Sequence, residues 1–124
     1  MKNILLIEDE VGILDLIDTI ISRSCKAVIH RAKNSCEAEA VLEKTNAKID
    51  LIISDIYHPG MDGLMQAQLI HCAHPRIPIY IVSGNLSASR EYEDRLKANG
   101  IIKGYMQKPF EHADLITFVK KELE

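Results

Sequence analysis

The chain has 124 residues, 47% of them hydrophobic and 27% charged, with a formal net charge of −3. That balance describes one ordinary globular domain, long enough to bury a core and not biased enough to be a disordered or solvating tail. With no basic run to grip a phosphate backbone and no apolar stretch near membrane-spanning length, direct nucleic-acid binding and membrane insertion are both excluded as expectations.

In chain order, short β-branched runs alternate with segments of helical period. The first run, 3–7, begins almost at Met1 without the layout of a signal peptide and ends on Glu8-Asp9. Ile13, Leu14, Ile17, Ile20 and Ile21 then recur at helical spacing. The second run, 27–31, is more polar, which suits an edge strand. Ala38, Val41 and Leu42 mark a second helix. The third run, 50–54, ends on Asp55, and the segment Tyr57 to Gly63 carries the Pro59-Gly60 signal of a type II turn. Asp62-Gly63 opens a third helix.

Pro75 and Pro78 bracket the gap before a fourth run, 78–82, which ends on Ser83. Asn99-Gly100 closes a fourth helix, whose Arg90, Glu91, Glu93, Asp94, Arg95 and Lys97 read as a solvated face. A fifth run, 101–105, starts at Ile101-Ile102 and leads to Lys108. Leu115, Ile116, Val119 and Leu123 stripe a last helix. Five such strand–helix units with short connections predict an α/β fold, a doubly wound five-stranded parallel sheet with helices on both faces.

Cys25, Cys36 and Cys72 are odd in number and lack paired spacing, so a reducing cytoplasm is the expected home. His71, Cys72 and His74 fit no zinc pattern, and a solvated helix end is the expected reading.

If the runs are parallel strands, Glu8-Asp9, Asp55, Ser83 and Lys108 all fall at the carboxyl edge of the sheet, where open α/β folds build their sites. Three carboxylates together are costly without a cation, and Mg²⁺ is the natural one because it takes oxygen ligands beside one or two carboxylates. A carboxylate there is also a competent nucleophile toward phosphorus. The Ser83 hydroxyl and Lys108 ammonium suit the charge on phosphoryl oxygens, and Gly84 leaves room for them.

These residues together resemble the receiver domain of bacterial two-component response regulators, with the match running from Lys2 to near the C-terminus and one domain expected over 1–124. Glu8-Asp9, the stretch Asp55 to Gly63, Ser83-Gly84 and Lys108-Pro109 each fall where that family's pattern puts them. The resemblance implies the flavodoxin-like strand order 2-1-3-4-5. It implies Asp55 as phosphoacceptor and Glu8, Asp9, Asp55 and the backbone carbonyl of Tyr57 around Mg²⁺, with Mn²⁺ as a substitute. It makes Ser83 and Lys108 the groups on the phosphoryl oxygens, and Ser83 and Tyr105 the switch pair. Lys108-Pro109 would carry a cis peptide bond.

The implied function is that of a phosphorylation-activated signalling receiver rather than an enzyme acting on other substrates. It would catalyse only its own phosphotransfer and autodephosphorylation. Its implied donor is a sensor histidine kinase or histidine phosphotransfer protein. Its implied target is an effector or output domain met through the helix 4–strand 5–helix 5 face, as a monomer or a phosphorylation-dependent dimer.

His58 and Tyr57 depart from the commoner occupants of their places, and with Asn85 they flank the approach to the phosphoryl group, where Tyr57 is expected to shield an acyl phosphate from water. Three other functions compete. A haloacid-dehalogenase-like phosphatase needs a second acid where Tyr57 stands. A flavodoxin-like cofactor binder needs a phosphate-cradling loop where Glu8-Asp9-Glu10 would repel phosphate. A receiver-like module that no longer phosphorylates would not need the intact constellation.

Overall fold

Every second residue of the central apolar runs belongs to a different core, because successive strand side chains point to opposite faces. The computed structural model describes residues 1–55, 57–58, 61–83, 94–107 and 110–123. Its strands are β1 (Lys2–Ile7), β2 (Ala27–Ala32), β3 (Leu51–Asp55), a two-residue pair β4 (Tyr57–His58) and β5 (Met61–Asp62), then β6 (Ile79–Ser83) and β7 (Gly104–Gln107). Its helices are α1 (Val11–Ser24), α2 (Ser35–Lys44), α3 (Gly63–Ala73), α4 (94–98 among the described residues) and α5 (His112–Leu123).

Five strands form one sheet in the order β2-β1-β3-β6-β7, with every neighbouring pair parallel. Setting aside the small antiparallel β4–β5 hairpin, this is the expected 2-1-3-4-5 order. Leu5, Ile7, Ile52, Ile79 and Ile81 pack with residues of α2, α3 and α4 on one face. Ile4, Leu6, Leu51, Ile53, Tyr80 and Val82 pack with α1 and α5 on the other. Coverage on both faces is why β1, β3 and β6 read as nearly unbroken apolar runs. The more polar β2 lies at the sheet edge, as expected.

The last strand differs from the expectation. It was expected over 101–105 but runs from Gly104 to Gln107. Ile101 and Ile102 instead finish the α4 turn. Gly100 takes φ +76°, the Ile101 N–H donates to the Leu96 carbonyl at 2.9 Å, and the Gly100 N–H donates to that of Lys97 at 3.1 Å. This is a Schellman closure, and it recruits the first apolar residues after the helix to pack back on it. Ile102 is buried in the core without being part of the strand.

Candidate functional site

Strand register builds the site. Ile7 of β1 is level with Ser54 of β3, and Asp55 is level with Val82 of β6. Ser83, the last residue of β6, is level with Gln107 at the end of β7. The carboxyl ends of four strands therefore finish together. The ladder runs one residue past β1, since the Glu8 N–H donates to the Ala32 carbonyl of β2 at 3.0 Å. That bond holds Glu8 down in the sheet, where it is only 2% exposed, while Asp55 is 7% exposed.

Glu8, Asp9 and Asp55 each bring a carboxylate oxygen within 4.8 Å of the others. Three acids so close, two of them buried, repel one another and lose solvation unless a cation joins them. The donors are all oxygen, which fits a hard divalent ion such as Mg²⁺ and not a soft metal. Locally, the Glu8 Oε2 accepts a long bond from the Glu10 N–H at 3.5 Å, and the Ser54 hydroxyl donates to the Asp55 carbonyl at 3.0 Å. Glu10 is the N-cap of α1, so Asp9 sits on the turn between strand and helix.

Other expected site residues are placed less completely. Tyr57 and His58 form β4, paired with Asp62 and Met61 around Pro59-Gly60, which puts the Tyr57 backbone two residues beyond Asp55. Gly84, Asn85, Lys108 and Pro109 lie outside the described residues, as do Pro59 and Gly60, so the expectations of a type II turn and of a cis Lys108-Pro109 bond fall outside them as well. Tyr105, in edge strand β7, is half-buried. Its hydroxyl donates to the Asp94 carboxylate of α4, and the Lys97 ammonium stands 6.0 Å from its ring centre.

Sequence reasoning missed two partners of Tyr105. Asp94 lies on the exposed face expected of α4, and its carboxylate there accepts from the Tyr105 hydroxyl. Tyr80, read only as part of an apolar run, donates its hydroxyl to the Tyr105 carbonyl at 3.2 Å. A lone phenol within an otherwise aliphatic strand was the available signal, since a buried Tyr hydroxyl usually finds an acceptor. Burial, with the charge of Asp114 adding to it, raises the Tyr80 phenol above its ordinary 10.0.

Residues 4–120 match the family model of the response regulator receiver domain. The chain belongs to the response regulator receiver domain family. The domain is 31% identical over 122 residues to the sensor kinase CckA of Brucella abortus, spanning 98% of this chain and 12% of the kinase. It is also 31% identical to the uncharacterized transcriptional regulatory protein YbdJ of Bacillus subtilis, spanning 98% of this chain and 50% of YbdJ. It therefore covers half or less of the length of these relatives.

Among solved structures, a CheY-like receiver domain from Methanospirillum hungatei is similar at TM-score 0.85 and 26% identity, covering 99% of this chain and 94% of that one. The NtrX receiver domain of Brucella abortus gives TM-score 0.83 and 27% identity, covering 97% of both chains. The receiver domain is a two-component signalling module, and among its described residues no helix is long and apolar enough to cross a membrane.

Proposed function

We propose that residues 1–124 act as one phosphorylation-controlled receiver that accepts a phosphoryl group on Asp55. The observation that carries this reading is the Glu8–Asp9–Asp55 cluster, three carboxylate oxygens within 4.8 Å at the carboxyl edge of the sheet. In the proposed reaction an Asp55 carboxylate oxygen attacks the phosphorus of a phosphohistidine. The P–O bond forms as the P–N bond breaks, and the ring leaves as neutral imidazole, keeping the proton already carried on its other nitrogen. Glu8, Asp9, Asp55 and the Tyr57 carbonyl would hold Mg²⁺, which when bound offsets charge on the phosphoryl oxygens.

Ser83 and Lys108 contact those oxygens in this reading, and the β6–β7 register supports it by ending the two strands level with each other. His58, Gly84, Asn85 and Pro109 border the approach. Tyr105 reports the phosphoryl state by changing its place at the β7 edge, a population shift between two packings of one face. Its bond to Asp94 and its contact with Lys97 tie that switch to α4. The donor is a histidine kinase or phosphotransfer protein. The output partner docks on the α4–β7–α5 face, and the setting is cytoplasmic.

The test is intact mass after incubation with acetyl phosphate, with and without Mg²⁺, beside an Asp55→Asn control. One added phosphoryl group that depends on Mg²⁺ and is absent from the control is expected. No gain, or an equal gain on Asp55→Asn, overturns the assignment.

A further inference from the structure

A surface helix normally shows solvent a charged or polar face. Helix α3 has no Asp, Glu, Lys or Arg between Gly63 and Ala73, and beside its partly exposed Gln68 and His71 it turns large apolar side chains to solvent. Met65 is 56% exposed and Leu69 53%, and Cys72 is exposed one turn further on. The spacing i, i+4, i+7 places these three on one stripe.

Beside the stripe, α2 and α3 enclose a cleft of about 90 Å³ whose walls include Ala38 and Leu42 from one helix and Leu69 and Ile70 from the other. Gln66 lines this cleft at 3% exposure, and its side-chain oxygen has no hydrogen-bond partner among the described residues. A buried acceptor left unpaired has lost its hydration without compensation, so a donor entering the cleft is favoured. The α2 rim carries Glu39, and exposed Glu43 follows one turn later. Among the described residues the lining includes His74 but no lysine or arginine.

We propose that the α2–α3 cleft is a docking groove for an amphipathic helix of a partner protein, one with an apolar stripe edged by basic residues. Its apolar side chains lie along Met65, Leu69 and Cys72, in the spacing by which helices read grooves. One Lys or Arg reaches past Glu39 toward the Gln66 oxygen, pairing a charged donor with a buried acceptor. Charge complementarity chooses this occupant, because the apolar stripe would accept any greasy helix but the carboxylates and orphan acceptor select a cationic one. Among the described residues no part of α4, β7 or α5 lines this cleft, and the proposal does not depend on the phosphorylation reading.

The probe is a fluorescent stapled amphipathic peptide of about 15 residues with Leu on one face and Arg at its edge, beside a peptide with Glu at the Arg positions. Saturable binding of the Arg peptide, with amide shifts in α2 and α3, is expected. Leu69→Glu should weaken it about tenfold or more, as for a central apolar contact. Gln66→Leu should weaken it several-fold while the chain stays folded, and Glu39→Lys should move the preference toward the Glu peptide. Equal binding of both peptides, no binding, or Leu69→Glu binding like the parent overturns the proposal. So does sedimentation showing a dimer that Leu69→Glu dissolves, since a second copy would then be the occupant.

Discussion

The Tyr80 hydroxyl donates to the Tyr105 carbonyl at 3.2 Å, while the Tyr80 ring lies where a Cβ on the preceding Gly104 would have to go. Residue 80 pairs in register with residue 104. The same ring stacks on Phe118 of α5 with centroids 3.5 Å apart and a 31° tilt. One phenol thus joins β6 to the edge strand and the edge strand to α5. It holds the backbone of Tyr105 from beneath while the Tyr105 side chain meets α4.

Gly104→Ala should destabilise the domain by about 1–3 kcal/mol, as overpacking does in a rigid site. The new Cβ would stand 2.7 Å from Tyr80 Cε2, and the ring has little freedom to retreat from Phe118. In a Tyr80→Val background the same substitution should cost much less. Urea denaturation of the four proteins checks this double cycle, and an unchanged Gly104→Ala penalty would contradict the contact.

Tyr80→Phe should cost about 1 kcal/mol at neutral pH through the lost hydrogen bond. The pH dependence follows from burial, and secondarily Asp114, raising the phenol above 10.0. Below pH 10 both folded and unfolded chains keep the proton. Above it the unfolded chain ionises first, so the parent loses stability as pH rises through the folded value. The gap between parent and Tyr80→Phe should therefore narrow above pH 10. Denaturation curves at pH 8 and pH 11, compared between the two proteins so that other tyrosines cancel, measure it.

Mg²⁺ should raise the melting temperature of the parent, because a ligand that binds only the folded state stabilises it. Asp9→Asn and Asp55→Asn should each remove most of that shift, roughly a tenfold or greater loss of affinity, since each deletes one charge from the cluster. Calorimetric scans with and without the ion decide it, and a full shift in both variants would mean that the ion binds elsewhere.

Asn34→Ala should destabilise by about 1 kcal/mol. The Asn34 side chain accepts from the Glu37 N–H at 2.9 Å, and Glu37 Oε1 accepts from the Lys33 N–H at 3.0 Å. Each side chain satisfies a backbone donor at the start of α2, in the manner of a capping box. A urea midpoint unchanged by Asn34→Ala would show that the cap contributes nothing net.

Tyr57→Ala should shorten the lifetime of the phosphorylated chain by a few-fold if Tyr57 keeps water from the acyl phosphate. Loss of the phosphorylated mass over time measures it, with an unchanged hydrolysis rate as the outcome that removes Tyr57 from this role.

Much of the fold was readable from the chain alone, because its signals are local. The Ile-, Leu- and Val-rich runs of β1, β3 and β6 report coverage on both faces, and the polar β2 reports an edge. Gly100 and Asp62-Gly63 mark helix ends through backbone preference. The Glu8–Asp9–Asp55 cluster was also foreseeable, since each acid follows such a run.

Tertiary structure decided what depends on residues far apart in sequence. Ile101 and Ile102 look like a strand start, yet α4 claims them through the Leu96 carbonyl and the core, so β7 begins at Gly104. Tyr80 became the brace of Tyr105 only because parallel pairing set Tyr80 opposite Gly104. Gln66 stands as a buried acceptor in a cleft that α2 and α3 line together, a placement no local pattern encodes. Periodicity is a property of neighbours along the chain. Register and packing between elements are set by which distant surfaces bury the most area together, and no stretch of local sequence contains that information.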